Sequence, residues 1–338
     1  MLDERKTAIL RAVVQEYIAT GQPVGSAHIA AMAGVKVSPA TVRNDMALLE
    51  QEGYLVQPHT SAGRIPTDKG YRFFVDALTP AGHTGSSIVS TVTAERVGSF
   101  FNHATGRMEE LLQRTSGLLT DMTNYAALVM GPSADVATVR SVQVVRLSPR
   151  HATVVAVLSN GVVQSESVEV EESASDAQVA AASAHLNAAA FGHVFSQVHL
   201  APTGDVGVDK VCVDALAALK PHQTDANVIV GGAAAMAQAF DAVEVVRSVL
   251  QALEQQYVVV SLVNDVVERG LSVAIGSEHG IEPLSACSVV VAPVIADGEK
   301  LGTVGVLGPT RMNYPQALAT VEAVSTQLGR RLTEGGQG

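Results

Sequence analysis

Apolar side chains recur at helical spacing through the first part of the chain. Ile9, Leu10, Val13, Val14, Tyr17 and Ile18 form one stripe behind Asp3, a residue type that caps helix starts, and Gly21 supplies a stop, so a first helix is expected. A short second helix follows from Ser26 through Met32, closed by Gly34. The third opens at Ser38, a serine cap placed before Pro39 at the first helical position, and ends at Gly53. On it Val42, Met46 and Leu49 fall three or four residues apart and make the buried stripe, which turns Thr41, Arg43 and Asn44 to the other face. A short strand over Tyr54-Leu55-Val56, a tight turn carrying Arg64 and a second strand come next. A fourth helix from Thr67 or Asp68 to Leu78 presents Phe74, Val75 and Leu78. Three helices followed by a two-stranded hairpin are the layout of a winged helix-turn-helix.

The pattern then changes. Residues 79–87 are small, polar and turn-rich, which places a linker there. A helical stretch with Phe100, Phe101, Met108, Leu111 and Leu112 precedes strand-like runs at 125–130, 139–147, 152–158 and 162–170. The last two are joined across Ser159-Asn160-Gly161, where Asn-Gly is a strong hairpin signal. From Glu171 to about Ala242 the sequence becomes Ala-rich and helical, as an insertion or a small separate domain would be. Strand character returns at 271–275, 286–291 and 300–308, and a final helix from Tyr314 to Leu332 carries Leu318, Val321, Val324 and Leu328 at helical spacing. Strands on both sides of a helical block predict an α+β chain whose sheet is completed by distant segments.

Composition sharpens this picture. With 338 residues and 47% hydrophobic side chains the chain has room for two or three domains and a sizeable core. The net charge of −11 is unevenly divided: residues 1–78 hold eight Lys/Arg against eight Asp/Glu, so the remainder carries 14 basic and 25 acidic groups. An acidic body repels phosphate and leaves the neutral N-terminal segment as the DNA-facing surface. Cys212 and Cys287 lack the spacing of a zinc site or a disulfide framework. No apolar run approaches the ~20 residues a membrane helix requires, and the charged start does not resemble a signal segment, so a cytoplasmic protein without membrane partners is expected.

The candidate chemistry lies on the third helix and the hairpin. Arginine can fork two N–H bonds to guanine O6 and N7, and asparagine can pair with adenine N6 and N7, so Arg43 and Asn44 near a helix N-terminus suit base reading in the major groove. Ser38 and Thr41 lie at the same terminus, near phosphate. Arg64 beside Gly63 suits a minor-groove or phosphate contact, His59, Thr60 and Ser61 can donate to phosphates, and Lys69 and Arg72 are expected at the DNA backbone. Gly302, Gly305 and Gly308 have neither of the phosphate-loop patterns and read as a small-residue strand ending in a turn. Ten histidines without HExxH and no Ser/His/Asp order argue against catalysis, and neither cofactor nor metal is expected.

These N-terminal segments, from Leu2 to Ile18, Thr20 to Ser26, Ser38 to Met46 and Gln57 to Arg72, closely resemble the heat-inducible transcription repressor family HrcA. Gly302 to Tyr314 resembles that family's closing motif, as does Gly280-Ile281-Glu282. The resemblance brackets nearly the whole chain and is weakest over 171–245. It implies a homodimer with a winged helix over 1–78, a discontinuous GAF-like domain over 88–170 and 246–338, and a helical dimerising domain inserted at 171–245. It further implies a repressor of chaperonin and chaperone heat-shock operons, bound to an inverted-repeat operator in double-stranded DNA and relieved by heat through chaperonin availability. The alternative reading is a winged-helix regulator that answers to a small molecule held in the GAF-like domain. An enzyme with an appended winged helix, such as a biotin ligase, lacks the Gly/Arg nucleotide loop it would need.

Overall fold

A computed structural model describes residues 2–32, 37–59, 62–78, 90–102, 108–131, 137–159, 162–219, 228–238, 240, 242–270, 272–296 and 298–335. The N-terminal segment holds α1 (Glu4–Thr20), α2 (Ser26–Ala31), α3 (Pro39–Gln51), β1 (Leu55–Val56), β2 (Ile65–Pro66) and α4 (Asp68–Asp76). There follow α5 (Thr91–Asn102), α6 (Met108–Thr123), β3 (Ala126–Met130), β4 (Val139–Ser148), β5 (His151–Leu158), β6 (Val163–Glu169), α7 (Asp176–Ala190) and α8 (Val206–Leu219). The chain ends with β7 (Val228–Gly231), α9 (Ala233–Gln238), α10 (Val243–Glu254), α11 (Gln256–Glu268), β8 (Val273–Ile275), β9 (Cys287–Ala296), β10 (Glu299–Pro309) and α12 (Tyr314–Gly335). Mixed helix and sheet make this an α+β chain, as the alternation of patterns predicts. The expected linker at 79–87, the Asn160-Gly161 turn and Gly34 lie outside the described residues.

Two compact units divide the chain. One comprises Met1–Val129, Val228–Val294 and Thr303–Gly329; the other Met130–Asn227, Ile295–Gly302 and Arg330–Gly338. In the first, the helix starts are set by side-chain caps: Asp3 accepts from the Lys6 amide at 2.8 Å, Ser38 from Thr41 at 3.2 Å and Thr67 from Gly70 at 3.2 Å. Each satisfies an amide the helix itself leaves unpaired, worth about 1 kcal/mol. Gly21 closes α1 in the left-handed region at φ 66°. Helix α1 packs on α3 and α4, burying Ile9, Leu10, Val13 and Val14 with Val42, Met46, Leu49, Phe74 and Val75. Each such aliphatic burial contributes about 1.5–3 kcal/mol.

The same unit contains a five-stranded sheet in the order β7-β3-β10-β9-β8. Helix α12 buries Leu318, Val321, Val324 and Leu328, the stripe its spacing predicts. The glycines of 302–308 belong to β10: a Cβ on Gly305 would lie 2.6 Å from the carbonyl oxygen of Val290. Close approach within the sheet accounts for Gly302 and Gly305, as the strand reading expects, whereas Gly308 is crowded by the Tyr125 and Met312 side chains.

The second unit is built on the antiparallel sheet β4-β5-β6. Ala152, Val154, Ala156 and Leu158 alternate along β5 into a core shared with Val179, Ala182 and Leu186 of α7 and Val211 and Leu216 of α8. Ser183 and Asn187 of α7 accept from the Val144 and Val142 amides at 2.9 and 2.8 Å, capping backbone donors of β4.

Here the organisation differs from the sequence expectation in two places. The strands of 139–170, expected in the discontinuous sheet, form a sheet of their own, because neighbours joined by short connections pair locally. And β7, inside the expected 171–245 insertion, joins the five-stranded sheet. The separate unit therefore takes in 130–227 together with 295–302 and 330–338, with the alanine-rich helices covering the strands of 139–169.

Candidate nucleic-acid interface

Helix α3 has two chemically distinct faces. Val42, Asp45, Met46 and Leu49 are buried, whereas Arg43 and Asn44 are exposed and make no side-chain hydrogen bond or ion pair among the described residues. Ser38, at the cap, is exposed, and its hydroxyl lies 3.0 Å from that of Thr41. The second turn of α3 thus presents two unpaired side chains with base-reading chemistry, following a hydroxyl pair at the positive end of the helix dipole. Asp45 completes the buried stripe, accepting from Arg5 Nε at 2.8 Å and Nη2 at 3.2 Å. That pair anchors α3 to α1. The hydrogen bond and charge of Asp45 raise the Arg5 guanidinium above its ordinary pKa. Spacing alone carries the signal, since 42, 45, 46 and 49 are helical neighbours, but an acid beside Arg43 and Asn44 in sequence reads as one more polar residue.

The hairpin β1–β2 is antiparallel, with Leu55 opposite Pro66 and Val56 opposite Ile65. Its return strand also pairs with the α1–α2 connection through two backbone bonds of 2.9 Å between Val24 and Arg64. Gly63 is required there, because a Cβ would lie 2.4 Å from the Val24 carbonyl oxygen. His59 is exposed at the hairpin, and its carbonyl accepts from the Ala62 amide at 2.9 Å. Thr60 and Ser61 lie outside the described residues. Arg64, expected to project toward DNA, instead folds onto α3: its Nε and Nη2 lie 3.0 and 2.9 Å from Glu50 Oε2.

In the first turn of α4 Lys69 is exposed; its ammonium donates to the Glu52 carbonyl at 2.8 Å and sits 4.3 Å over the Tyr54 ring. Arg72 is half-buried and turned toward the sheet. Its Nε donates to Glu278 Oε1 at 2.8 Å, Nη2 to Glu278 Oε2 and to the Val273 carbonyl at 2.9 Å, and Nη1 to Asp76 at 3.4 Å. Expected at the DNA backbone, this guanidinium is committed to carboxylates within the protein, which raise its pKa further. Neither Glu50 nor Glu278 has a local sequence signature as an arginine partner.

A cleft of about 460 Å³ is lined by Gln15, Ile18, Phe74, Tyr125, Arg311 and Asn313 among others. The Tyr125 hydroxyl accepts from the Asn313 amide at 2.8 Å, and burial raises its pKa against the opposing effects of Asn313 and Arg311. Sequence spacing gave no hint of this convergence. Among the described residues no group of three or more His, Cys, Asp or Glu side chains is placed to hold a metal, and no helix is long and apolar enough to cross a membrane. Both cysteines are buried and free, and burial pushes the Cys287 thiol up to about 12, far from a reactive thiolate.

Over residues 109–318 the chain matches the family model of the HrcA protein C terminal domain. It is 38% identical to a heat-inducible transcription repressor HrcA of a Nocardioides species, covering 99% of this chain and 100% of that one. The corresponding repressor of Streptomyces avermitilis is 35% identical with the same coverage, and that of Acidothermus cellulolyticus 38% identical. A crystal structure of a hypothetical protein superimposes with a TM-score of 0.63 over 99% of both chains at 22% identity, which supports the fold alone. The α+β architecture and full-length relatives of this kind define a transcription repressor, a class whose work is binding rather than catalysis. The chain belongs to the HrcA family of heat-inducible transcription repressors.

Proposed function

We propose that residues 2–78 form a winged helix-turn-helix that reads an inverted-repeat operator upstream of chaperonin and other chaperone operons. The N-terminal half of α3 carries this reading: Arg43 and Asn44 are exposed and unpaired on a helix whose other face is locked into the core. In the major groove Arg43 forks to guanine and Asn44 pairs with adenine, while Ser38 and Thr41 meet phosphate. His59, with Thr60 and Ser61, adds phosphate contacts from the wing, and Lys69 adds charge. Arg64 and Arg72 reach DNA only by giving up Glu50 and Glu278, so their part is chiefly to brace α3 and α4.

In the same reading the five-stranded sheet with its helices is a GAF-like domain and the 130–227 unit is the inserted dimerising domain. Val145, Val157 and Val163, exposed on the face of β4–β6 away from its core, support a role for that unit in pairing. A two-fold dimer places one α3 on each arm of the inverted repeat. Relief by heat follows if the active fold depends on chaperonin, so that unfolded clients withdraw it. Footprinting DNA upstream of the chaperone genes, before and after a heat step and with and without chaperonin, tests both halves. Protection of both arms, recovering after heat only with chaperonin, is expected; protection of one arm, or equal recovery without chaperonin, contradicts the corresponding half.

The cleft beside Tyr125 and Arg311 favours a second reading, in which a small molecule with an apolar body and a polar group modulates repression. Its volume falls in the range of small-ligand sites. Native mass spectrometry of protein purified from its own cells would then show a bound species displaced in an Arg311→Ala variant; an unliganded mass in both excludes this reading.

A further inference from the structure

We propose that the joint between α4 and the turn after β8 is a positioning device that sets which operator half-site spacing the repressor accepts. The proposal rests on the DNA-reading role of α3 in a dimer, and extends it to residues that touch no DNA.

The joint is a plug in a preformed socket. Asp68 and Arg72, one helical turn apart on α4, face the same way. Asp68 Oδ2 accepts from the Ser277 amide at 3.1 Å and from its hydroxyl at 3.0 Å, and Arg72 grips both carboxylate oxygens of Glu278 while also donating to the Val273 carbonyl. The socket is held independently of the plug. Glu278 Oε2 accepts from the Ile275 amide at 2.9 Å, Arg269 Nη1 donates to the Glu278 carbonyl at 3.1 Å, and His279 is buried against the Leu284 carbonyl at 3.1 Å. Gly276 stands at φ +53° with the Asp68 carboxylate so close that a Cβ would lie 2.4 Å from Oδ2. The positive φ favours glycine, and a Cβ at this position would push the Asp68 carboxylate out of its seat. Beside this contact the Tyr71 and Tyr314 rings meet at 5.9 Å between centroids.

A two-pronged guanidinium–carboxylate contact fixes orientation as well as distance. With a second contact one turn away, α4 has little freedom to rotate about either. Helix α4 packs on α1, α1 on α3, and Arg5–Asp45 ties α1 to α3, so the direction of α3 relative to the sheet follows from the joint. One base pair of spacer rotates a half-site by about 34° and moves it by about 3.4 Å, from a helical turn of 10–10.5 base pairs. A head held at two points on one helix face rejects that displacement; a head on a loosened joint follows it. Salt-bridge strength is therefore spent on geometry rather than on affinity for a single arm.

The test uses the full-length protein with Glu278→Gln, Arg72→Lys and Gly276→Ala. Binding is measured at fixed salt to a duplex carrying one operator arm, and to inverted repeats whose spacer is lengthened or shortened by one to five base pairs, with thermal melting followed in parallel. Expected are single-arm affinities within about twofold of the parent, but a ratio between best and next-best spacing reduced by about tenfold, the scale of one lost charge-assisted hydrogen bond. Arg72→Lys keeps the charge and loses only the fork, so it carries the comparison wherever another variant melts early. Unchanged spacing ratios in folded variants overturn the proposal. Loss of single-arm affinity in a folded Arg72→Lys also overturns it, since Arg72 would then contact DNA itself. If the parent protein fails to bind the single arm and every repeat, it is the DNA-reading role of α3 that fails.

Discussion

Gly70 lies in the first turn of α4, and a Cβ there would be 2.3 Å from the Tyr54 carbonyl oxygen. Helix propensity and packing oppose one another at this position. Replacing a helical glycine by alanine ordinarily stabilises by about 1 kcal/mol, whereas a backbone clash of this kind costs more because neither partner can swing away. We expect Gly70→Ala to lower the melting temperature, by an amount corresponding to roughly 1–3 kcal/mol; a rise would show that β1 and α4 are free to separate. At this scale the sequence is legible where a residue acts on its own neighbours. Asp3, Ser38 and Thr67 cap the helices they precede because the donor and acceptor are three residues apart. Arg64 and Arg72 are the opposite case. Their partners lie 14 and 206 residues away, and a carboxylate that distant carries no mark of the arginine it will meet.

At the scale of elements, the turn at Gly276–His279 has a consequence for pH. Burial lowers the His279 pKa, outweighing the raising effects of the Cys287 and Leu284 carbonyls and of the nearby Asp68 and Glu278 charges. Its Nε2–H is directed at those carbonyls and its Nδ1 accepts from the Ile281 amide at 3.3 Å, so protonation removes an acceptor in the socket that receives α4. Because the folded pKa lies below the unfolded one, the unfolded chain binds the extra proton first. The stabilisation is complete above the ordinary value of 6.5 and is lost as pH falls through that value toward the folded pKa. Melting temperatures between pH 7 and pH 5 are expected to fall more steeply for the parent than for His279→Gln; parallel slopes contradict this account of the turn. The elements themselves were largely legible. Alternation in 152–158 gives β5, and helical spacing gives α1, α3 and α12. Which sheet a strand joins was not, because Val154 and Ala156 alternate identically whichever layer covers them. β7 is only four residues long and follows alanine-rich helical sequence, so neither length nor contrast marks it.

At the scale of the whole molecule, the uneven charge and the division into units bear on one function. The acidic excess lies outside residues 1–78, which leaves that neutral head as the segment least repulsive to phosphate, and within it the exposed, unpaired Arg43 and Asn44 fall on the second turn of α3. Charge division and helix faces were both readable before any fold was known, whereas the bracing of that head through α4 required the three-dimensional pairing of Arg72 with Glu278. The most direct measurement is a titration of the parent, Arg43→Ala and Asn44→Ala proteins, at one fixed salt concentration, against the operator and against operators substituted at single positions of both arms. Arg43→Ala is expected to lose about 1–3 kcal/mol of binding free energy and to stop discriminating at one position of each arm, with Asn44→Ala relaxing a different position. Unchanged affinity and unchanged base preference in both variants would contradict the assignment of α3 as the reading helix.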